Sequence, residues 1–268
     1  MRRQVSVSGD TQDRLPSVSL VLDRVGIEGL KVPVTLRRNG SKREVMATVD
    51  VKIQLDEKHR GVHMSRLVEA VYDAIGHDDC RSFEELSQRI LRRLNGSHPF
   101  TRGEVNIENS LVMQKKTPST GRTSFENFEV STMVLQNQKS VKKLLTVKVV
   151  GNTLCPHSLE VSHGRAHTQR AEIQLELLTD FDADVSHEDL IAIGEQSFSA
   201  PTYSLLKTAD EVSLIDKMYS NPKFVEDVAR DCYHLLKGKG LHGETRIRVR
   251  SYESIHKHTA VCEIEKEL

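Results

Sequence analysis

Residues 43–55, REVMATVDVKIQL, place Val45, Ala47, Val49, Val51, Ile53 and Leu55 on one side of an extended chain. The opposite side carries Glu44, Thr48, Asp50, Lys52 and Gln54. Period-two alternation over this length predicts a strand with one buried and one wet face. Such strands belong to antiparallel sheets, which can leave one face in water. Past Gly61 the period changes. Met64, Leu67, Val68, Val71, Tyr72 and Ile75 recur at helical spacing. Ser82 and Glu85 then form a capping-box pattern ahead of Leu86, Ile90, Leu91 and Leu94. Two shorter strands are expected near 104–113 and 126–136. The polar segment QKKTPSTGRTS (114–124) connects them.

The second half repeats this plan. KLLTVKVV (143–150) reads as a strand, and RAEIQLELL (170–178) alternates through Ala171, Ile173, Leu175 and Leu177. A helix is expected after Ser186, running through Leu190 and Ile191 toward Phe198. Asn221-Pro222 reads as the cap and first residue of another helix. That helix carries Phe224, Val225, Val228, Ala229, Cys232, Leu235 and Leu236 and ends at Gly238. Strands near 244–250 and 258–264 close the chain. The expectation is an α+β fold of two tandem units, each an antiparallel sheet with helices on one face. The boundaries are a mobile arm at 1–16, a first unit at 17–125 and a second at 126–268. The sheet edges favour closure into a barrel by oligomerisation.

Composition excludes several classes of function. The 268 residues hold 38 basic and 38 acidic side chains, so the basic excess of a general nucleic-acid binder is missing. There is no Trp for a broad stacking surface. No apolar run approaches the ~20 residues of a membrane span. The first sixteen residues carry no apolar signal core. Cys80, Cys155, Cys232 and Cys262 are scattered rather than arranged as a disulfide framework, which points to a reducing cytoplasm.

Between the strands of the second half lies GNTLCPHSLEVSHGRAHTQR (151–170), with Cys155, His157, His163 and His167 close together. It reads either as a histidine-rich surface loop or as ligands at the two ends of an irregular loop. Cys155, His167, Glu211 and His256 together would offer sulfur, nitrogen and oxygen to a first-row divalent ion such as Zn, Mn or Fe(II). Glu211 equally reads as a solvated loop acid in TADEVS, and His256 as a surface histidine. Glu226 falls in a helical first turn, where a carboxylate is favoured by the helix dipole. Glu253 stands at a turn, where it could grip the N–H edge of a guanine-like base. Lys58, His59, Arg60, His63, Ser65 and Arg66 form a basic cluster at a helix head, an anion site suited to a triphosphate.

Six segments in order, GVHMSRL, TLCPHSLEVS, AHTQR, YSLLKTADE, NPKFVEDVAR and ESIHKH, resemble the type IB GTP cyclohydrolases. The resemblance spans most of residues 20–265. It implies tandem tunnelling-fold (T-fold) units, a homotetramer with pockets at subunit interfaces, and GTP as substrate. The implied reaction converts GTP and water to 7,8-dihydroneopterin triphosphate and formate, the entry step to folate-type pterins. Archaeal members of the family make a cyclic phosphate instead. The implied metal ligands are Cys155, His167, Glu211 and His256. Glu226 and Glu253 fall on pocket acids, one of which anchors the guanine. His63, Ser65 and Arg66, with Arg170 and Lys207, fall on the substrate-binding segments.

Where the family usually reads Cys-Pro-Cys, this chain reads Cys155-Pro156-His157. His157 is then the expected proton shuttle, since imidazole titrates near neutral pH. Leu159 replaces a usual Lys, and Lys257 and Thr259 replace Asn and Asp. Two other functions share parts of this pattern. One is a T-fold nitrile reductase acting on a deazaguanine; the other is a purine- or pterin-binding protein without turnover.

Overall fold

The structure, a computed structural model, describes residues 10–38, 41–76 and 79–268. Residues 1–9 of the expected mobile arm lie outside the described residues. Residues 10–16 include a short 3-10 helix, Thr11–Asp13. In chain order the elements are β1 (Leu22–Arg38), β2 (Ser41–Leu55), α1 (Met64–Gly76), α2 (Phe83–Ser97), β3 (Arg102–Lys116), β4 (Thr123–Asn137) and β5 (Val141–Leu154). Then come α3 (Pro156–Val161), β6 (Thr168–Asp180), α4 (His187–Ser197), β7 (Ala200–Pro201), α5 (Thr208–Ser220), α6 (Val225–Gly238), β8 (Glu244–Ser251) and β9 (Ala260–Glu267). None of the described helices is long and apolar enough to cross a membrane. The chain divides into two compact units. One holds the residues up to Glu108 with Thr132–Lys142; the other holds Asn109–Ser131 and Lys143–Leu268.

In the first unit β2 is the central strand. It pairs antiparallel with β1 (Val34↔Val45) and with β3 (Val49↔Ile107, Val51↔Val105). Ala47, Val49, Val51, Ile53 and Leu55 are buried as the alternation requires. β1 was not expected from its sequence. Gly26, Gly29 and Pro33 interrupt its pattern, and the register with β2 shifts at Leu22/Val25 and Ile27/Leu30. Gly26 is obligatory for the pairing, because a Cβ there would stand 1.8 Å from the Val51 carbonyl oxygen. α2 buries Leu86, Ile90, Leu91 and Leu94, and Ser82 Oγ caps it by accepting the Glu85 N–H at 3.2 Å. The buried stripe of α1 is Leu67, Ala70, Val71 and Ala74. This corrects the expected stripe: Met64 and Tyr72 are exposed, and two alanines take the core positions because they let the helix lie close to its neighbours.

In the second unit the strand order is β3-β4-β5-β6-β8-β9, with β7 attached to β5. β6 and β8 pair antiparallel from Ala171↔Ser251 to Leu178↔Glu244. One face of β6 buries Ala171, Ile173, Leu175 and Leu177 completely. Leu190, Ile191 and Ile193 of α4 and Val228, Ala229, Cys232 and Leu236 of α6 belong to the same core. Each large aliphatic side chain buried there contributes roughly 1.5–3 kcal/mol.

Two helices and one boundary depart from expectation. α3 and α5 occupy segments read as loops. α6 starts at Val225, not at Pro222. Asn221 ends α5 instead, and its Nδ2 donates to the carbonyls of Phe198 and Ser199 at 3.1 and 3.3 Å. The true start of α6 is marked by Asp227, whose carboxylate accepts the Phe224 N–H at 3.1 Å.

Gly151 lets β5 pass against the buried ring of Phe198; an added Cβ would lie 2.2 Å from that ring. Gly151→Ala is therefore expected to destabilise the protein by about 1–3 kcal/mol through overpacking. Urea denaturation measures it, and an unchanged midpoint would show that Phe198 can move aside.

Candidate functional site

The loop between β5 and β6 is closed by a backbone bond from the Cys155 N–H to the His167 carbonyl, 3.2 Å long. Cys155 leaves the end of β5 and becomes the N-cap of α3, its sulfur accepting the Ser158 N–H at 3.4 Å. Pro156 takes the first helical position, where its missing N–H costs nothing. The return turn uses His163 and Gly164, both at positive φ (53° and 102°). The expected loop is thus a six-residue helix and a turn that set its two ends side by side.

The His167 ring is oriented by a polar chain. Gln169 Nε2 donates to Thr153 Oγ1 at 3.0 Å, which turns Gln169 Oε1 toward His167 Nδ1 at 2.9 Å. In this amide orientation the oxygen accepts, so Nδ1 is the donor and Nε2 holds the lone pair of the neutral tautomer. That is the tautomer a histidine needs to ligate a metal through Nε2. Thr153 is itself anchored near Ser251 Oγ, 3.3 Å away, at the end of β8. The Tyr252 N–H bonds the Arg170 carbonyl at 2.8 Å, carrying the β6–β8 pairing one step further. This places Glu253 Oε2 3.9 Å from His167 Nδ1, both side chains being largely buried. In the exposed loop beyond, His256 faces His167 edge-on with centroids 6.4 Å apart and stacks on His258 at 5.2 Å.

Cys155, His167, His256 and Glu253 therefore come from neighbouring segments at one end of β5, β6 and β8. Glu211 is exposed on the first turn of α5, after the exposed Lys207. His157 is exposed on α3, Glu226 is exposed on the first turn of α6, and Arg170 is exposed on β6. No three of Cys155, His167, Glu211 and His256 hold ligand atoms within 4.8 Å of one another. Among the described residues, Asp10, Asp13 and His63 do. The donor chemistry of the quartet still fits a first-row divalent ion: one free thiol, two imidazoles and a carboxylate.

Two buried carboxylates, unforeseen from the sequence, shape this region. Asp210, fully buried, accepts the backbone N–H groups of Ser119 and Thr120, the Thr120 hydroxyl and the Lys207 N–H. Burial pushes its pKa up, but the bonds from Thr120, Ser119 and Lys207 outweigh that and hold it far below the usual carboxylate range. Glu126, also buried, accepts from Ser124 Oγ and from the Ser204 N–H and hydroxyl. Both tie the segment before α5 to β4 and the turn preceding it.

In the first unit, His63 is buried and its Nε2 contacts Asp13 Oδ1 at 3.0 Å. Asp10 lies 3.7 Å from the same ring and 3.8 Å from Arg66. Ser65 is exposed beside them. The ring of His98 packs edge-on against His63. Burial, with the positive charge of Arg66 and the neighbouring histidines, pushes the His98 pKa down. Of the expected basic cluster, His63 and Arg66 meet carboxylates. These carboxylates come from the segment read as a mobile arm.

A family model described as "Type I GTP cyclohydrolase folE2" matches residues 9–262. "GTP cyclohydrolase MptA" of Pyrococcus furiosus is 40% identical over 263 residues, 95% of this chain and 98% of that protein. "GTP cyclohydrolase FolE2" of Lawsonia intracellularis is 34% identical over 260 residues, 96% of this chain and 98% of that protein. Among solved structures, a hyper-thermostable uricase mutant matches with a TM-score of 0.59 at 10% identity, over 94% of each chain. The uricase of Arthrobacter globiformis matches with a TM-score of 0.55 at 11% identity, over 94% and 96%. The uricase likeness concerns the fold alone.

Burial raises the Glu126 pKa, but bonds from Ser124 and Ser204 and the charge of Lys115 hold it below its ordinary 4.5. A depressed carboxyl stabilises the fold above its unfolded pKa, and that stability is lost as pH falls through the folded value. Urea stability is therefore expected to drop from about pH 5 downward, and Glu126→Gln to flatten that limb. A variant curve parallel to the wild type would contradict this assignment.

Proposed function

The chain belongs to the type I GTP cyclohydrolase folE2 family, and on that premise we propose that it hydrolyses the guanine ring of GTP and releases formate. The IB subtype, a divalent metal ion at Cys155, His167, Glu211 and His256, and the product 7,8-dihydroneopterin triphosphate are parts of this proposal. So are the tandem T-fold units at 17–125 and 126–268 with the arm at 1–16, the homotetramer, and a cytoplasmic location. The observation that carries the metal assignment is the Thr153–Gln169–His167 chain, which leaves His167 Nε2 free to ligate. Cys155 is bonded through its backbone to the same residue.

A divalent ion bound there would supply Lewis acidity for the hydrolysis at C8 of the base. The remaining work belongs to side chains of this chain. Glu253, largely shielded from water beside His167, would accept N–H bonds from the guanine edge. Glu226, on the first turn of α6, is the second candidate for that anchor. His157, exposed next to Cys155, can take a proton and return it to the opening ring. Arg170 and Lys207 supply positive charge to the substrate, and His63, Ser65 and Arg66 hold phosphate oxygens.

A second product reading has a specific basis. Identity to the Pyrococcus furiosus relative, 40%, exceeds that to the Lawsonia intracellularis relative, 34%. Archaeal members of the resembled family form a cyclic phosphate, so the same catalysis here could end in that product. Mass analysis of the pterin formed from GTP separates the two outcomes.

Cys155→Ala is expected to remove stoichiometric metal and to lower pterin formation by roughly 100-fold or more. Full turnover with metal unbound would refute the reading. His157→Ala is expected to lower kcat by about 10²–10⁴-fold with a small change in KM, as for a lost proton-transfer group. An unchanged kcat would remove His157 from the mechanism.

A further inference from the structure

α5 presents Lys207 at its N-cap and Glu211 in its first turn, yet apolar packing does little to hold this helix. Its buried residues are Asp210 and Leu214, while Val212, Ile215 and Tyr219 are exposed. A helix with one buried aliphatic side chain is not fixed in place by its core contacts. Polar bonds hold its two ends instead. At the far end Asn221 donates to the carbonyls of Phe198 and Ser199. At the near end Asp210 is the anchor. Its Oδ1 accepts the N–H groups of Ser119 (2.9 Å) and Thr120 (2.8 Å). Its Oδ2 accepts the Thr120 hydroxyl (2.7 Å) and the Lys207 N–H (3.0 Å).

Four accepted bonds fill the carboxylate, so Asp210 has no lone pair left for a metal or a proton in transit. The bonds join positions about ninety residues apart in the chain, the turn between β3 and β4 and the start of α5. Just upstream, Glu126 ties Ser204 in the same manner, fixing the approach to Lys207.

We propose that Asp210 is a positioning residue, locking the first turn of α5 to the β3–β4 turn and so setting where Lys207 and Glu211 stand. This rests on the reading of Glu211 as a metal ligand. Asp210 would then act on the site through the backbone, as the outer partners of metal ligands do.

The test uses the full chain stripped of metal, with Co(II) as the probe and the cobalt–thiolate absorption of Cys155 as the signal. Asp210→Asn replaces one acceptor by a donor facing Thr120 and Lys207. Thr120→Val keeps the shape and removes the two bonds of the Thr120 hydroxyl, to Asp210 Oδ2 and to Thr117 Oγ1. Asp210→Asn is expected to weaken Co(II) binding about 10–100-fold, and Thr120→Val to weaken it less, with the thiolate band retained. Amide exchange of the metal-free protein is expected to quicken in 117–122 and 207–213 together. Faster exchange with unchanged Co(II) affinity would make Asp210 merely structural and overturn the proposal, as would no change in either. A wild-type protein lacking any Co(II) band that Cys155→Ala abolishes would overturn the ligand reading itself, and the proposal with it. That failure is recognised before any Asp210 variant is measured. If Asp210→Asn does not fold, Thr120→Val decides alone.

Discussion

The second unit depends on the register of β6 between β5 and β8. Ala171, Ile173, Leu175 and Leu177 are all fully buried on one face of β6. A slip of one residue would turn the whole set toward water, so the pairing has one acceptable register. That register brings the start of β6 beside the ends of β5 and β8. Cys155, His167 and Glu253 are neighbours for this reason. The hydrophobic constraint positions the polar residues, although none of them contributes to it.

Polar bonds then do what the core cannot. The segment from Pro156 to Val161 buries no side chain, and the side chains around His167 are oriented by short hydrogen-bond chains. Thr153 and Gln169 orient the histidine ring, while Asp210 and Glu126 hold the segment carrying Lys207 and Glu211. Thr153, Asp210 and Glu126 are buried and Gln169 is half-buried, each is hydrogen-bonded, and a buried polar group loses far more when one partner is removed than it contributes when paired. Substitutions there are therefore expected to act on geometry and on stability together, and readouts must separate the two.

The first unit shows the same division of labour. β2 supplies an apolar face, and α1 and α2 bury their own stripes. At the head of α1, His63 and Arg66 meet the carboxylates of Asp10 and Asp13. A cationic cluster near a helix start attracts anions of any origin, and in this chain carboxylates from the N-terminal segment supply them.

Periodicity in the sequence was enough to determine the strands β2, β5, β6 and β8, the helices α2 and α4 and the apolar body of α6, because burial of one face leaves a local repeat. The six ordered motifs were enough to indicate the family, since they carry ligand and pocket residue types in a fixed sequence. β1 was not legible, because two glycines and a proline break its pattern and its stability comes from pairing with β2. α3 and α5 were not legible either: both are short of buried apolar residues and are fixed by caps and by Asp210. Asp210 itself sits beside Glu211 in an ordinary acidic pair, and only the tertiary structure shows that one of the two is buried under four donors while the other faces water. The orientation of His167 was likewise decided by tertiary contacts, because Thr153, Gln169 and Ser251 meet across three strands. A local repeat records which face is buried; it carries no record of which distant donor satisfies a given acceptor.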